Sequence, residues 1–192
     1  RMPFAAFVVA GAVALGGCTG QSEPDPSPSA GSASATSSAS PPVTPSPSPS
    51  VTASGPEIPP SAREQTEAGA IAYAKFFFDQ VNVAWTEPRA GLIESLSDPA
   101  CKFCAFTEQK AMELVGSKLR YRKAPIEMLS VEAVVGAPQG QQYLVASLEQ
   151  KRVDVVNASG VVVDSDERLV SESYVVLKWA DGWMLREVEE AE

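Results

Sequence analysis

The sequence predicts an α+β domain in which three N-terminal helices pack on a bent antiparallel sheet of four to six strands. Apolar residues recur at the helical period up to Gly116, and they alternate at period two after Leu119. All three Trp and all four Tyr lie in residues 61–192, about 130 residues, which is the size of one ordinary domain. Helices therefore precede strands within one folded domain.

The first predicted helix lies between residues 61 and 85. Candidates for its N-cap are Ser61, paired with Glu64, and Thr66. Phe76 lies about 100° around the helix from its neighbour Phe77, which belongs to the apolar stripe given below. Phe76 is therefore expected nearer the edge of the apolar face. The apolar stripe consists of Ala70, Tyr73, Ala74, Phe77, Phe78, Val81, Ala84 and Trp85.

Two further helices are predicted before residue 117. Thr86-Glu87-Pro88 interrupts the first helix, and residues 89–96 are expected to form a short second one. Ser97-Asp98-Pro99 is a cap-then-proline signal that predicts a third helix over about residues 99–115, ending at Gly116.

The strands are predicted from segments in which apolar and polar residues alternate: 126–128, 131–135, 144–148 and 169–179. Residues 157–160 and 181–182 have the composition of tight turns, so each predicts a hairpin. Slips in the alternation near Met128 and Gln150 predict bulges that bend the sheet.

The N-terminus predicts export and lipid attachment. Residues 4–15 form a 12-residue apolar run, shorter than the ~20 residues of a membrane-spanning helix and typical of a signal peptide. Leu15-Gly16-Gly17-Cys18 follows and resembles the bacterial lipobox, which implies cleavage after Gly17 and a diacylglyceryl group on Cys18. The predicted location is the extracytoplasmic face of the cell membrane, with Cys18 as the anchor. An unpaired Cys18 beside an ordinary cleavage site is the alternative.

Three segments follow from this organisation. Residues 1–17 are predicted to be a lipoprotein signal peptide, residues 18–60 a lipidated, disordered Pro/Ser-rich linker, and residues 61–192 the folded domain. Residues 19–60 hold 11 of the 16 Pro and no aromatic residue, so they cannot bury a core. A plain spacer is favoured over an O-glycosylated stalk or a ligand for a proline-binding module.

The composition excludes several function classes. The chain contains no His, which removes His-ligated zinc and the Ser-His-Asp and Cys-His nucleophile pairs. Its formal net charge of −9 argues against nucleic acid as a partner, because phosphate binding needs a basic surface. No cofactor and no metal are predicted.

Cys101 and Cys104 form a Cys-x-x-Cys motif in a chain predicted to be exported. At positions i and i+3 of a first helical turn their Cα atoms would be ~5 Å apart, within the range that a disulfide bridges. A structural disulfide is favoured over a thioredoxin-like redox pair, because the strand that precedes such a pair is missing. Free thiols are the third alternative.

Other side chains are weaker candidates for sites. The basic run at residues 118–123 is either a contact for anionic lipid or polymer or a solvated strand face. Residues 164–167 are acidic but lack the Gly and distant Glu of a calcium loop, which favours a solvated turn. Asp79 is the closest candidate for a catalytic carboxylate, but its position off the apolar stripe favours a solvent-facing side chain, so no catalytic residue is predicted. The candidates for a small apolar pocket are Tyr73, Phe77, Met112 and Trp179, although such residues more often fill a core.

The order of elements resembles the nuclear-transport-factor-2-like (cystatin-like) cone over about residues 65–190, which implies a sheet wrapped around the long first helix. The chain also resembles an actinobacterial lipoprotein family, domain of unknown function 6318. The resemblance rests on the lipobox, the Pro/Ser-rich segment and residues 73–78 and 96–104. That resemblance implies an address and a fold but no activity.

The leading hypothesis is a lipid-anchored cell-envelope lipoprotein whose domain binds, without catalysis, another envelope protein or a small apolar ligand. The alternative is an isomerase- or dehydratase-like enzyme of the same fold, and a passive spacer is the third. A dry pocket with an inward-pointing carboxylate favours the enzyme, and a filled core with an exposed apolar surface favours the binding module.

Overall fold

Two α-helices precede seven strands in the computed structural model, which describes residues 55–191. Helix α1 spans Glu67–Thr86 and α2 spans Lys102–Ser117. Short 3-10 turns at Pro60–Arg63 and Glu94–Leu96 precede them. The strands are β1 Leu119–Tyr121, β2 Ile126–Val134, β3 Gln141–Gln150, β4 Val153–Asn157, β5 Val162–Asp166, β6 Leu169–Trp179 and β7 Trp183–Glu190.

The strands form two antiparallel sheets. The small sheet has the order β1-β4-β5, and the large sheet has the order β2-β3-β6-β7. The prediction of three helices on one bent sheet, as in the cone, is therefore wrong, although the α+β class holds. Alternation shows which side chains share a face of a strand, but the neighbour of each strand is decided by contacts between residues far apart in the chain.

Residues 89–96 do not form the predicted second α-helix. The segment makes turns and the single 3-10 turn Glu94–Leu96. Its backbone N–H groups at Gly91, Ile93 and Glu94 donate to the carboxylate of Glu108 on α2 instead of to a helical ladder. Because Glu108 is 14 to 17 residues away, the periodicity of the segment does not reveal this contact. Its apolar side chains are nevertheless buried: Leu92, Ile93 and Leu96.

Helix α1 lies at the centre of the core. Thr66 Oγ1 accepts the N–H of Gly69 at 3.0 Å and caps the helix, as one of the two predicted caps. The helix contacts β1 of the small sheet and all four strands of the large sheet. Because α1 is covered on several sides, three consecutive side chains are buried: Phe76, Phe77 and Phe78 are only 8, 0 and 2 % exposed. The prediction that Phe76 lies near the helix edge is therefore wrong.

Both predicted hairpins are confirmed. In the β4–β5 turn, Asn157 Oδ1 accepts the N–H groups of Ser159 and Val161. In the β6–β7 turn, Asp181 has a φ of 60°, a conformation that Asp tolerates better than most residues. A register shift between Met128 and Ser130 confirms the first predicted bulge. The second is wrong, because the pairing of residues 148–150 with both neighbouring strands is continuous.

Polar side chains fix the helices to their neighbours. The Asn82 side chain donates to the carbonyl of Ile126 at 2.8 Å and accepts its N–H at 2.9 Å. The Tyr73 hydroxyl donates to the carbonyl of Leu96 at 2.6 Å, and burial raises the pKa of this hydroxyl, which keeps it a donor. Helix α1 is thereby joined to β2 on one side and to the segment before α2 on the other.

Candidate functional site

A groove of about 300 Å³ lies between α2 and the segment that precedes it. We call it the α2 groove. The α2 residues that line the groove recur at spacings of three or four positions, so they form one row on the same side of the helix. Met112 in this row is mostly exposed, and Val115, one turn further along, is also exposed. The groove is lined by Glu94, Ser97, Asp98, Pro99, Cys101, Cys104, Ala105, Glu108, Gln109 and Met112.

A disulfide lines the α2 groove. It joins Cys101 and Cys104, whose Cα atoms are 5.2 Å apart, and Cys101 Sγ also accepts the N–H of Cys104 at the start of α2. Each of the two residues is only 2 % exposed. Thiol–disulfide exchange requires an attacking thiolate to reach a sulfur atom. Burial therefore argues for a disulfide that fixes the first turn of α2 and against redox work.

Asp98 is an ionised carboxylate at the rim of the groove. It accepts the N–H of Ala100 at 2.9 Å and pairs with Lys178 Nζ at 3.2 Å and Arg186 Nη1 at 3.8 Å. The backbone N–H of Ala100, followed by the Lys178 ammonium, holds the pKa of Asp98 below its ordinary value. Asp98 therefore fixes the loop before α2 to β6 and β7, and it is unsuited to donating a proton.

We expect Asp98→Asn to reduce the loss of stability in acid. Because the folded pKa of Asp98 is depressed, its contribution is complete above the unfolded pKa of about 3.9 and disappears as the pH falls through the folded value. Urea unfolding at neutral and at acidic pH measures the free energy of unfolding under each condition. The decrease from neutral to acidic pH should be larger for the wild type than for Asp98→Asn. Asp181→Asn, at an exposed turn position, is the control. Identical acid losses for Asp98→Asn and the wild type would contradict the assignment.

Glu108 is the residue of this site that the sequence analysis missed. It is buried, and its carboxylate accepts the N–H of Gly91 at 2.5 Å, of Ile93 at 3.1 Å and of Glu94 at 3.4 Å. The available signal was its position four residues after Cys104 and three before Ala111, on the buried side of α2. Both oxygens accept backbone N–H groups, so Glu108 anchors the segment before α2.

The four residues predicted to line an apolar pocket lie in different environments. Tyr73 and Phe77 are core residues, and the half-buried Trp179 packs edge-on against Trp183 with ring centroids 5.1 Å apart. Met112 is exposed in the α2 groove. The structure does not bring these four together in one pocket, because α1 is enclosed by the sheets whereas this side of α2 faces solvent. Cys18 lies outside the described residues, and its lipidation stays a prediction.

A second cleft, of about 260 Å³, lies between one end of the large sheet and the two helices. We call it the sheet-end pocket. The pocket is lined by Phe78, Phe103, Ile126, Leu148, Gln150, Leu169, Ser171, Ser173, Val188 and Glu190.

Asp79, the candidate for a catalytic carboxylate, is exposed on α1, where partial desolvation raises its pKa. It lines neither the sheet-end pocket nor the α2 groove.

The acidic residues 164–167 do not converge on one point. Asp166 accepts the hydroxyl of Tyr121 at 2.6 Å, and Glu167 pairs with Arg152 at 3.6 Å. Residues 55–191 contain no cluster of three or more Cys, Asp or Glu side chains arranged to hold a metal ion. Neither α1 nor α2 combines the length and the apolar character needed to cross a membrane.

These features define a small α+β domain with two antiparallel sheets and an open groove along its second helix. Residues 46–189 match the family described as "Family of unknown function (DUF6318)", and the chain belongs to that family. None of the curated proteins matches the sequence.

Two solved structures show how far the fold is shared. The intermembrane space region of the chloroplast protein ARC6 is 14 % identical, with a TM-score of 0.51 over 66 % of this chain and 97 % of that chain. CagV, a VirB8 homolog of the T4SS from Helicobacter pylori strain 26695, is 7 % identical, with a TM-score of 0.35 over 63 % of this chain and 98 % of that chain. The first similarity concerns the fold alone, and the second is too low to support an argument.

Proposed function

We propose that this protein is a lipid-anchored lipoprotein of the cell envelope and that its domain is a non-catalytic module that binds another envelope protein through the α2 groove. The binding role rests on one observation: the groove is open and has exposed apolar side chains on α2. Its buried or partly buried carboxylates, Asp98 and Glu108, are held by partners within the domain.

The same geometry argues against the isomerase- or dehydratase-like alternative. Acid–base catalysis needs a carboxyl group that can gain and lose a proton near neutral pH. The pKa of Asp98 is lowered, which is the opposite of what a general acid requires. Glu108 accepts three backbone N–H groups. A groove of about 300 Å³ is also at the small end for a ligand site, and it suits an apolar side chain inserted by a protein partner.

The anchor is supported by the sequence. The apolar run at residues 4–15 and the lipobox ending at Cys18 are adjacent, as signal and lipidation site must be. Acyl chains on a cysteine contribute about 0.8 kcal/mol per buried methylene, and two chains hold a protein stably where one does not. Lipid on Cys18 would therefore suffice to hold the chain at a membrane.

We expect Cys18→Ala to move the protein out of the detergent phase. The wild-type chain, expressed in a bacterium that lipidates such signals, should partition into detergent. Cys18→Ala, made as the chain from residue 18 onward so that the apolar run at residues 4–15 is absent, should stay in the aqueous phase. Thr19→Ala is the matched control, because it changes the next residue and leaves the sulfur in place. Retention of Cys18→Ala in the detergent phase would refute the anchor.

We expect a photoreactive side chain at Met112 to crosslink to one protein partner in intact cells. The control places the same group at Phe106, which is 66 % exposed on α2 but does not line the groove. One adduct of defined mass at 112, absent at 106 and weakened by Ala105→Arg, would support the proposal. Equal yields at both positions, or none, would contradict it. A small bound molecule seen by native mass spectrometry, without a protein adduct, would favour an apolar ligand in the sheet-end pocket instead.

A further inference from the structure

Basic residues are concentrated where α2 passes into β1. Four of the 15 Lys and Arg residues lie within residues 118–123 of a chain with a formal net charge of −9. Arg122 pairs with Asp154 at 3.0 Å. Lys118, Arg120 and Lys123 are exposed and form no ion pair with another described residue. We call these three residues the basic patch, and its positive charge is uncompensated.

Exposed valines adjoin the basic patch on the small sheet. Arg120 opposes Val156 on β4, and Val156 opposes Val162 on β5, so Arg120 and Val162 share a face of the sheet and flank Val156, which is buried. Val161, Val162 and Val163 are 59, 46 and 49 % exposed. Strand β5 is an edge strand, and about half of the surface of each valine is open to solvent. Because side chains alternate along a strand, Val162 is the one placed on the face of Arg120. Cationic and apolar groups are thus placed side by side.

The backbone of Lys118 is a second, independent feature. Lys118 ends α2 with φ 55° and ψ 38°, and its N–H donates to the carbonyls of Leu114 and Val115. Glycine is the usual residue in this left-handed position, because a Cβ atom there is strained. A lysine interacts favourably with the carbonyl end of the helix, but it also places an exposed cation beside Arg120 at the expense of backbone strain. Strained residues of this kind concentrate at functional surfaces.

We infer that the basic patch, together with the half-exposed Val162 on the face of Arg120, forms a surface that binds the anionic headgroups of a phospholipid bilayer. Cationic and apolar side chains together are the combination that binds such an interface. The inference deepens the proposed function and rests on it in one respect, since lipid on Cys18 would bring the domain close to a bilayer. The chain as a whole is acidic and is repelled by an anionic bilayer, so the basic patch decides which side of the domain approaches it.

This orientation leaves the α2 groove open to a partner. The α2 residues of the groove lie between 14 positions (Cys104) and six positions (Met112) before Lys118, which is ~21 to ~9 Å at 1.5 Å per residue. A bilayer in contact with the basic patch therefore meets the C-terminal end of α2, and the groove lies towards its other end. The lipid contact and the partner contact can then be made at the same time.

The test measures vesicle binding by the chain from residue 18 onward carrying Cys18→Ser, so that neither the lipid nor the apolar run at residues 4–15 contributes. We expect it to sediment with vesicles of phosphatidylglycerol and phosphatidylcholine, not with pure phosphatidylcholine, and to be released by salt. Arg120→Gln and Lys123→Gln should each weaken binding about fivefold, the equivalent of ~1 kcal/mol per charge. Lys75→Gln, an exposed lysine on α1, is the matched control. Val162→Asp should also weaken binding, while Val135→Asp, at a residue 92 % exposed elsewhere, should not.

Lys118→Gly separates membrane binding from a structural role. The substitution relieves the left-handed strain, so the melting temperature should stay the same or rise while vesicle binding falls about fivefold. Lys118→Arg should retain binding. Equal binding to both kinds of vesicle, equal effects of Arg120→Gln and Lys75→Gln, or binding to a soluble polyanion but not to vesicles would overturn the inference.

The outcomes also distinguish the inference from the anchor. If the Cys18→Ser chain ignores phosphatidylglycerol vesicles while the wild type still partitions into detergent through Cys18, the inference fails and the anchor stands. If the Cys18→Ser chain binds these vesicles while Cys18→Ala does not alter detergent partition, the anchor fails and the inference stands.

Discussion

Phe77→Ala is expected to lower the free energy of unfolding by about 3–5 kcal/mol. Phe77 lies in the middle of α1 with none of its surface exposed, and its ring packs edge-on against Phe78 at 5.7 Å. Because both sheets contact α1, neighbours held by their own hydrogen bonds cannot close the cavity that the substitution leaves. The loss would be a large part of the ~5–15 kcal/mol that stabilises an ordinary domain.

Urea unfolding of matched alanine variants measures this loss. Phe106→Ala removes the same side chain from a position that is 66 % exposed on α2, so it should change stability by about 0.5 kcal/mol or less. Phe76 is only 8 % exposed, and Phe76→Ala should therefore behave more like Phe77→Ala than like Phe106→Ala. If the effects at 77 and 106 were equal, the central position of α1 would be wrong. Phe77→Leu provides a milder variant if Phe77→Ala does not fold.

Glu108→Gln is expected to cost about 1.5–3 kcal/mol, although it changes almost no volume. The carboxylate accepts three backbone N–H groups from Gly91, Ile93 and Glu94. Glutamine offers one acceptor oxygen and no charge, and its NH₂ group would face an N–H donor. At least one N–H of the segment before α2 would be left without its partner in a buried or partly buried environment.

The effect should be both global and local. Urea unfolding should show the loss of stability. Hydrogen exchange at residues 91–94 should be faster in Glu108→Gln than in the wild type, and this increase should be larger than at other residues of the chain. Glu113→Gln is the control, because Glu113 lies on the exposed side of the same helix. Similar stability losses for the two variants, or unchanged exchange at residues 91–94, would show that Glu108 does not anchor this segment.

Features encoded by neighbouring residues could be predicted from the sequence. The cap of α1 joins Thr66 and Gly69, three residues apart, and the turn at Asn157–Gly160 is closed by hydrogen bonds within five residues. The interactions that form these elements lie within the segment itself, so the residue types suffice to indicate them. The disulfide partners are equally close, and the structure joins them at the start of α2.

The α2 groove could be predicted only in part. The sequence singled out Met112 and the two cysteines, but it grouped Met112 with Tyr73 and Phe77, which lie in the core. The roles of Asp98 and Glu108 depend on Lys178 and on the backbone of residues 91–94. A carboxylate that holds such partners has the same appearance in a sequence as one that is free to react.

The sequence by itself determined the α+β class, the two α-helices that form, the two hairpins, and a lipobox that predicts where the chain is anchored. Only the tertiary structure decided that the strands divide into two sheets, because β1 pairs with β4 more than 30 residues away along the chain. It also decided that Phe76, Phe77 and Phe78 are all buried and that Glu108 holds the segment before α2. The physical reason is the range of the interactions: caps and turns are made by adjacent residues, whereas strand pairing, burial and buried carboxylate contacts depend on what the rest of the chain places beside them.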